Sequence, residues 1–60
     1  MKLQLIIEST ENAAFEGDMF ASEAARIVRL AAVHIEQGRE GGPLMDYNGN
    51  RVGSWLWIEE

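Results

Sequence analysis

Hydrophobic and polar residues alternate at the start of the chain and then change to a helical period. In the segment 2–8, KLQLIIE, Leu3, Leu5 and Ile7 fall on one face of an extended chain, and Ile6 is the exception. From Met19 onward the apolar residues recur at intervals of three and four, which is typical of an amphipathic helix. The pattern therefore predicts a strand followed by a helix.

The helix is predicted to run from about Met19 to Gln37, with Asp18 as its N-cap. Gly38 suits the position after the helix, and the segment Gly41-Gly42-Pro43 prevents its continuation. Small residues on the apolar face would allow close packing on a sheet. That face is predicted to contain Phe20, Ala24, Ile27, Val28, Ala31 and Ile35.

The segment 45–53, MDYNGNRVG, predicts a hairpin turn between a short strand near 44–47 and a longer strand at 51–59. A type I′ turn at Asn48-Gly49 would place Asp46 opposite Arg51. A type I turn over residues 46–49 with a glycine bulge fits nearly as well, so two registers stay open. A calcium loop starting at Asp46 is excluded, because its sixth and twelfth positions would be Arg51 and Trp57.

The order of elements predicts an α+β fold in one small β-α-β-β domain spanning residues 1–60. Its three-stranded antiparallel sheet should carry one helix packed on one face. The last strand is the longest and the most apolar, so we place it in the centre of the sheet. The segment 9–17 is polar and irregular, and Phe15 is expected to lie against the edge of the domain.

The last strand is apolar on both of its faces. By strict alternation Val52, Leu56 and Ile58 point one way, while Trp55 and Trp57 point the other. One helix covers one face of a three-stranded sheet, so we predict a protein-binding surface on the other. Trp55 and Trp57 are its expected anchors, with Ile6 beside them. The alternative is that the tryptophans pack under the helix and the aliphatic face meets a symmetry mate.

The length of the chain indicates how such a surface would be used. A chain of 60 residues buries only about 60% of the surface that its unfolded form exposes. It contains no cysteine and a single histidine, His34, so disulfides and a zinc site are not available to reinforce it. Self-association is the remaining means, and a homodimer is the expected state.

The formal net charge of −5 disfavours nonspecific binding to nucleic acid. A basic protein partner would suit this charge, although modest acidity also serves simply to keep a small protein in solution. Arg26 and Arg29 lie three residues apart on the helix and form a secondary polar surface in our interpretation. Nucleic-acid binding through these two arginines is the alternative function.

The residue pattern predicts no catalysis, no cofactor and no metal site. His34 could meet Ser9, Ser22 or Ser54, but no spacing favours a catalytic triad. The acidic residues around 8–23 surround a helix start, where they are expected on electrostatic grounds. The glycines at 38–42 follow a helix and cannot form a phosphate-binding loop. No apolar run is long enough for a membrane span and no signal peptide is evident, so a cytoplasmic location is expected.

Three segments resemble small uncharacterised proteins of tailed bacteriophages and prophages. They are Asn12-Ala13-Ala14-Phe15, the segment ARIVRL at 25–30, and DYNGNRVG at 46–53. The resemblance covers most of the chain in order, and the chain departs from it in carrying Trp55 and Trp57. It implies a phage accessory protein that acts by binding another protein, with a host protein, including a defence component, as a possible partner. It also implies location in the cytoplasm of an infected or lysogenic bacterium.

Overall fold

The computed structural model describes residues 1–59 and contains three strands and one long helix. The strands are β1 (Lys2–Ile7), β2 (Gly41–Met45) and β3 (Arg51–Ile58), and the helix is α1 (Met19–Glu36). The sheet order is β1-β3-β2, and both outer strands run antiparallel to β3. The predicted α+β fold with a central last strand is confirmed. Since β1 and β2 both run opposite to β3, α1 connects two parallel strands across the one between them.

The helix begins and ends close to the predicted residues. Asp18 occupies the N-cap position, but its side chain makes no capping hydrogen bond and its backbone is already helical. The chain leaves the helix through Gly38, whose φ of 87° is favourable for glycine. The buried helix residues are Glu23, Ile27 and Ala31, four residues apart, and Ile35 continues the same line against the core.

The prediction for two helix residues is wrong. Phe20 and Val28 are 61% and 44% exposed, respectively, although both were assigned to the buried face. A short 3-10 helix at Ala13–Phe15, which the sequence did not predict, packs on α1 and supplies Ala14 and Phe15 to the core. Phe15 therefore lies inside the domain instead of at its edge. Phe20, in the first turn of α1, lies outside this core.

Strand β2 starts three residues earlier than predicted and includes Gly41, Gly42 and Pro43. A side chain at Gly41 would come within 2.9 Å of the Trp55 carbonyl oxygen, so glycine allows β2 to approach β3 closely. The Trp57 N–H donates to the Glu40 carbonyl oxygen at 3.0 Å. By alternation the backbone groups of Gly42 also face β3 and those of Pro43 face outward, where the missing N–H breaks no bond within the sheet.

The hairpin between β2 and β3 adopts the second of the two predicted registers. The Gly49 N–H donates to the Asp46 carbonyl oxygen at 3.0 Å, and the Asp46 N–H donates to the Asn50 carbonyl oxygen at 2.9 Å. Gly49 has a φ of 85°, whereas no described non-glycine residue has a positive φ. These features define a type I turn closed by a glycine bulge, since a type I′ turn would need positive φ at Asn48 as well. Asp46 consequently faces Asn50, and Arg51 pairs with Met45.

Candidate protein-binding surface

A bulge in β3 decides which side chains face the helix. The pairing with β2 passes from Leu44–Gly53 to Met45–Arg51, so Val52 has no opposite residue. An extra residue of this kind breaks the two-residue alternation of side chains. Val52 therefore lies on the same side as Trp55, and both are 1% exposed in the core. The prediction that groups Val52 with Leu56 is wrong for this reason.

Trp55 belongs to the core beneath the helix. It packs with Ile27, Ala31 and Leu44, and its pairing partner Leu5 lies beside this cluster. Its indole Nε1 is buried with no hydrogen-bond partner among the described residues and lies close to Gly42. The prediction of Trp55 as an exposed anchor is wrong, and its alternative, a tryptophan packed under the helix, describes this residue correctly.

Trp57 lies on the same side of the sheet but closer to the end of the strand. It is 36% exposed and pairs with Leu3, which is 42% exposed. The helix thus covers the middle of its sheet face and leaves this corner partly open. Trp57 lies on the helix side and is not part of the uncovered face on which the sequence placed it.

The uncovered sheet face, which we call the open face, carries the side chains opposite to Trp55. Ile6 is 41% exposed and was predicted at this surface. Leu56 in the central strand is also 41% exposed, and Met45 is 39% exposed. Four of the nine residues on this face are polar or charged, namely Lys2, Gln4, Arg51 and Ser54. The open face consists of Lys2, Gln4, Ile6, Pro43, Met45, Arg51, Ser54, Leu56 and Ile58.

An ion pair between the buried Glu23 and the partly exposed Arg26 joins the helix to the hairpin. The Arg26 Nε and Nη2 atoms donate to the two carboxylate oxygens of Glu23 at 2.8 and 2.9 Å. Glu23 also accepts the Tyr47 N–H at 2.8 Å, and Arg26 donates to the Met45 carbonyl oxygen at 3.3 Å. Glu23 is only 5% exposed. The pair therefore ties α1 to the β2 side of the β2–β3 turn.

The ion pair shifts the pKa values of both groups. The hydrogen bond from Arg26 holds the pKa of Glu23 below its ordinary value, although burial opposes this effect. The same bond raises the pKa of Arg26. Both side chains stay charged near neutral pH. The Arg26 guanidinium is engaged in hydrogen bonds within the domain. Arg29 is exposed on the helix, and the two predicted arginines do not form one free basic patch.

The Asp46 carboxylate stabilises the turn by accepting hydrogen bonds from it. Its carboxylate accepts the N–H groups of Asn48 and Asn50 at 2.9 and 2.8 Å, and the Asn50 side-chain amide at 3.2 Å. Burial raises the pKa of Asp46, but these hydrogen bonds outweigh it and leave the pKa below the ordinary value. The carboxylate oxygens that a calcium loop would direct at an ion are directed at backbone amides instead.

The sequence analysis did not predict that Glu23 and Asp46 are buried. Glu23 was grouped with the acidic surface, although its four-residue spacing from Ile27 and Ala31 places it on the buried stripe. Asp46 was recognised only as a turn residue. A carboxylate in the middle of an apolar helical stripe, with an arginine three residues later, is the pattern that could have indicated a buried pair.

The remaining candidates for metal-binding or catalytic residues do not come together in the fold. Across residues 1–59, no cluster of three or more histidine or acidic side chains is arranged to hold a metal ion. His34 lines a groove of about 40 Å³ between α1 and β2, with Leu30 and Pro43 among its neighbours. A volume of that size has room for about one water molecule. No described helix is both long and apolar enough to cross a membrane.

Comparison with known proteins assigns no relationship. No protein-family model, curated protein or solved structure matches the chain. The geometry of the open face is therefore the basis on which a function can be proposed.

Proposed function

We propose that this protein acts by binding another protein through the open face of its sheet. The proposal rests on the observation that apolar side chains on that face are left exposed to solvent. Leu56 lies on the central strand, where both neighbouring strands flank it, yet it is 41% exposed. Ile6 and Met45 on the two outer strands are exposed to a similar degree. Exposed apolar side chains with polar residues among them are common at interaction surfaces.

The open face is suited to a partner that is apolar at its centre and carries both charges at its margin. Lys2 and Arg51 stand at opposite ends of the face, and Glu8 follows β1 at one end. Exposed charges at a margin contribute to selectivity and to the rate of association more than to affinity. Recognition would therefore depend on burial of Leu56 and its apolar neighbours, with the margin selecting the orientation.

The resemblance to phage and prophage proteins makes a bacterial host protein the proposed partner. In this proposal the protein is an accessory factor that acts by steric occupation of a host surface. Nucleic-acid binding is less well supported, because the Arg26 guanidinium is bonded to Glu23 and the main chain of Met45.

The proposal can be tested by affinity capture with two matched double variants. Leu56→Gln with Ile58→Gln removes apolar groups from the open face. Leu30→Gln with Val33→Gln is the control, since these helix residues are 46% and 47% exposed. We expect the wild type and the helix variant to retain the same protein from a bacterial lysate, and the open-face variant to lose it.

Circular dichroism and urea unfolding must first show that both variants are folded. Direct titration of the captured protein then gives an affinity for each variant. Removal of two apolar contacts from the open face should weaken binding by at least about tenfold. Failure of the wild type to retain any protein, or equal retention by the open-face variant, would contradict the proposal.

A further inference from the structure

We propose that two copies of the chain pair through the outer edge of β1, antiparallel and centred on Leu5. The joined strands would form a continuous six-stranded sheet. This interface uses the edge of the sheet, whereas the proposed binding surface uses its open face. Either proposal can therefore fail without the other.

The hydrogen-bonding groups of β1 alternate between the sheet and the outer edge. The Glu8 N–H donates to the Val52 carbonyl oxygen at 2.8 Å, so the backbone of Glu8 faces β3. By alternation the backbone groups of Gln4 and Ile6 also face β3. Those of Leu3, Leu5 and Ile7 point away from the sheet. The edge thus presents three N–H donors and three carbonyl acceptors along a strand of six residues that has no proline.

The apolar side chains of β1 are incompletely covered within one copy. Leu3 is 42% exposed, and Leu5 and Ile7 are half-buried although both pack against the core. All three point to the helix side of the sheet. Pairing centred on Leu5 sets Leu5 against its own equivalent and Leu3 against Ile7 of the second copy. The new strand would cover the three side chains that α1 leaves partly open.

Charge selects the same register. With Leu5 on the symmetry axis, Lys2 lies opposite Glu8 of the second copy, and the symmetry repeats this pair at the other end. Gln4 lies opposite Ile6 of the second copy between them. Opposite charges directly across an antiparallel pair stabilise it, whereas like charges destabilise it. The Lys2 ammonium has three N–H donors, so this pairing does not require Lys2 to release contacts within its own copy.

A charge-swap experiment tests this arrangement specifically. Within one copy, Lys2 and Glu8 are separated by about 20 Å along the strand, which exceeds the screening length of about 8 Å at physiological salt. Any energetic coupling between the two positions must therefore arise between copies. Lys2→Glu and Glu8→Lys should each weaken dimerisation by roughly tenfold. The double variant Lys2→Glu with Glu8→Lys should restore the wild-type dissociation constant.

The Glu8→Lys variant separates the local pair from the overall charge. This substitution reduces the net negative charge, which by itself would favour association of two acidic chains. Weaker dimerisation of this variant would oppose that trend and is the expected result. Sedimentation equilibrium across a dilution series gives the four dissociation constants. The double variant has the same net charge as the wild type, so its recovery cannot come from a change in total charge.

Amide hydrogen exchange of the wild type provides a second readout that needs no substitution. The amides of Leu3, Leu5 and Ile7 should exchange more slowly as protein concentration increases. A chain that stays monomeric at all concentrations would overturn the proposal. So would a dimer that lacks this protection and is indifferent to the charge swaps, since such a dimer must use another surface such as the open face.

Discussion

Glu23 is a buried charged residue that connects the helix to the hairpin. Its carboxylate is buried and receives hydrogen bonds from Arg26 and from the Tyr47 N–H. Burial of this carboxylate costs desolvation free energy, which its hydrogen bonds must offset. Loss of these hydrogen bonds leaves a buried polar group without compensation, so the effect of a substitution exceeds the net contribution of the pair.

We expect Glu23→Gln to lower the free energy of unfolding by about 1–3 kcal/mol. A glutamine amide replaces one accepting oxygen with a donor, which then faces the donors of Arg26 and Tyr47. Glu36→Gln is the matched control, because Glu36 is exposed on the same helix and should change stability by less than about 0.5 kcal/mol. Urea unfolding of both variants measures the difference. Equal effects would show that the ion pair of Glu23 with Arg26 is not important for stability.

The different environments of the two tryptophans can be measured by fluorescence. Trp55 is 1% exposed and Trp57 is 36% exposed. The Trp57→Phe variant, which retains only Trp55, should emit at shorter wavelength and resist quenching by acrylamide. The Trp55→Phe variant, if folded, should retain the quenchable emission. Strong quenching of Trp57→Phe in its folded state would contradict the placement of Trp55 in the core.

The error over Trp55 has a specific physical origin. The segment 52–58 is apolar on both faces, so alternation alone does not identify the face that meets the helix. The β-bulge then removes Val52 from the regular alternation, because the pairing passes over it. The hydrophobicity of a strand indicates that it is buried. Bulges and the shapes of its side chains determine which of its two faces packs against the helix. Only the relative fit of Trp55 against Ile27 and Ala31 resolves the choice.

At the scale of elements, prediction succeeded where local chemistry was sufficient. The helix ends where Gly38 takes a positive φ, and Asn48-Gly49 forms a turn in one of its two expected geometries. The early start of β2 depends instead on a distant contact, namely the closeness of Gly41 to the Trp55 carbonyl oxygen. Such long-range contacts leave no signal in the local pattern.

The pairing of β1 with β3 depends on Gly53. A Cβ atom at this position would overlap the carbonyl oxygen of Ile6 on the neighbouring strand. We expect Gly53→Ala to cost at least about 2 kcal/mol of stability, because the backbone of β1 or β3 must move to accept the methyl group. Chemical denaturation with urea and exchange of the β1 amides would show this loss.

Gly38→Ala separates crowding from backbone strain. Gly38 has a φ of 87° but no atom within 4 Å of an added methyl group, so alanine there should cost about 1 kcal/mol through strain alone. A Gly53→Ala protein as stable as Gly38→Ala would show that the two strands can separate without penalty.

For the whole molecule, the lowered pKa values of Glu23 and Asp46 predict sensitivity to acid. A carboxyl group whose pKa is lower in the folded state stabilises the fold when it is ionised. This stabilisation is complete above the ordinary values of 4.5 and 3.8 and is lost as the pH falls through the lower folded-state values. The free energy of unfolding should therefore decrease steadily below about pH 4.5.

Urea unfolding at a series of pH values from 7 to 2.5 measures this dependence. Glu23→Gln removes one of the two groups, so its stability should fall less steeply in acid than that of the wild type. A wild-type stability that is flat or rising between pH 4.5 and pH 2.5 would contradict the assigned roles of the two carboxylates.

The composition of β2 would limit the size of an assembly formed through the proposed strand pairing. In the proposed dimer both outer edges of the six-stranded sheet are β2 strands. The ring of Pro43 stands at that edge where a donor would be required, and Arg26 already occupies the Met45 carbonyl oxygen at 3.3 Å. A third copy would find neither a complete row of donors nor a free row of acceptors. Growth of the proposed dimer by strand addition would therefore stop at two chains, so pairing through a strand edge would not extend into fibrils.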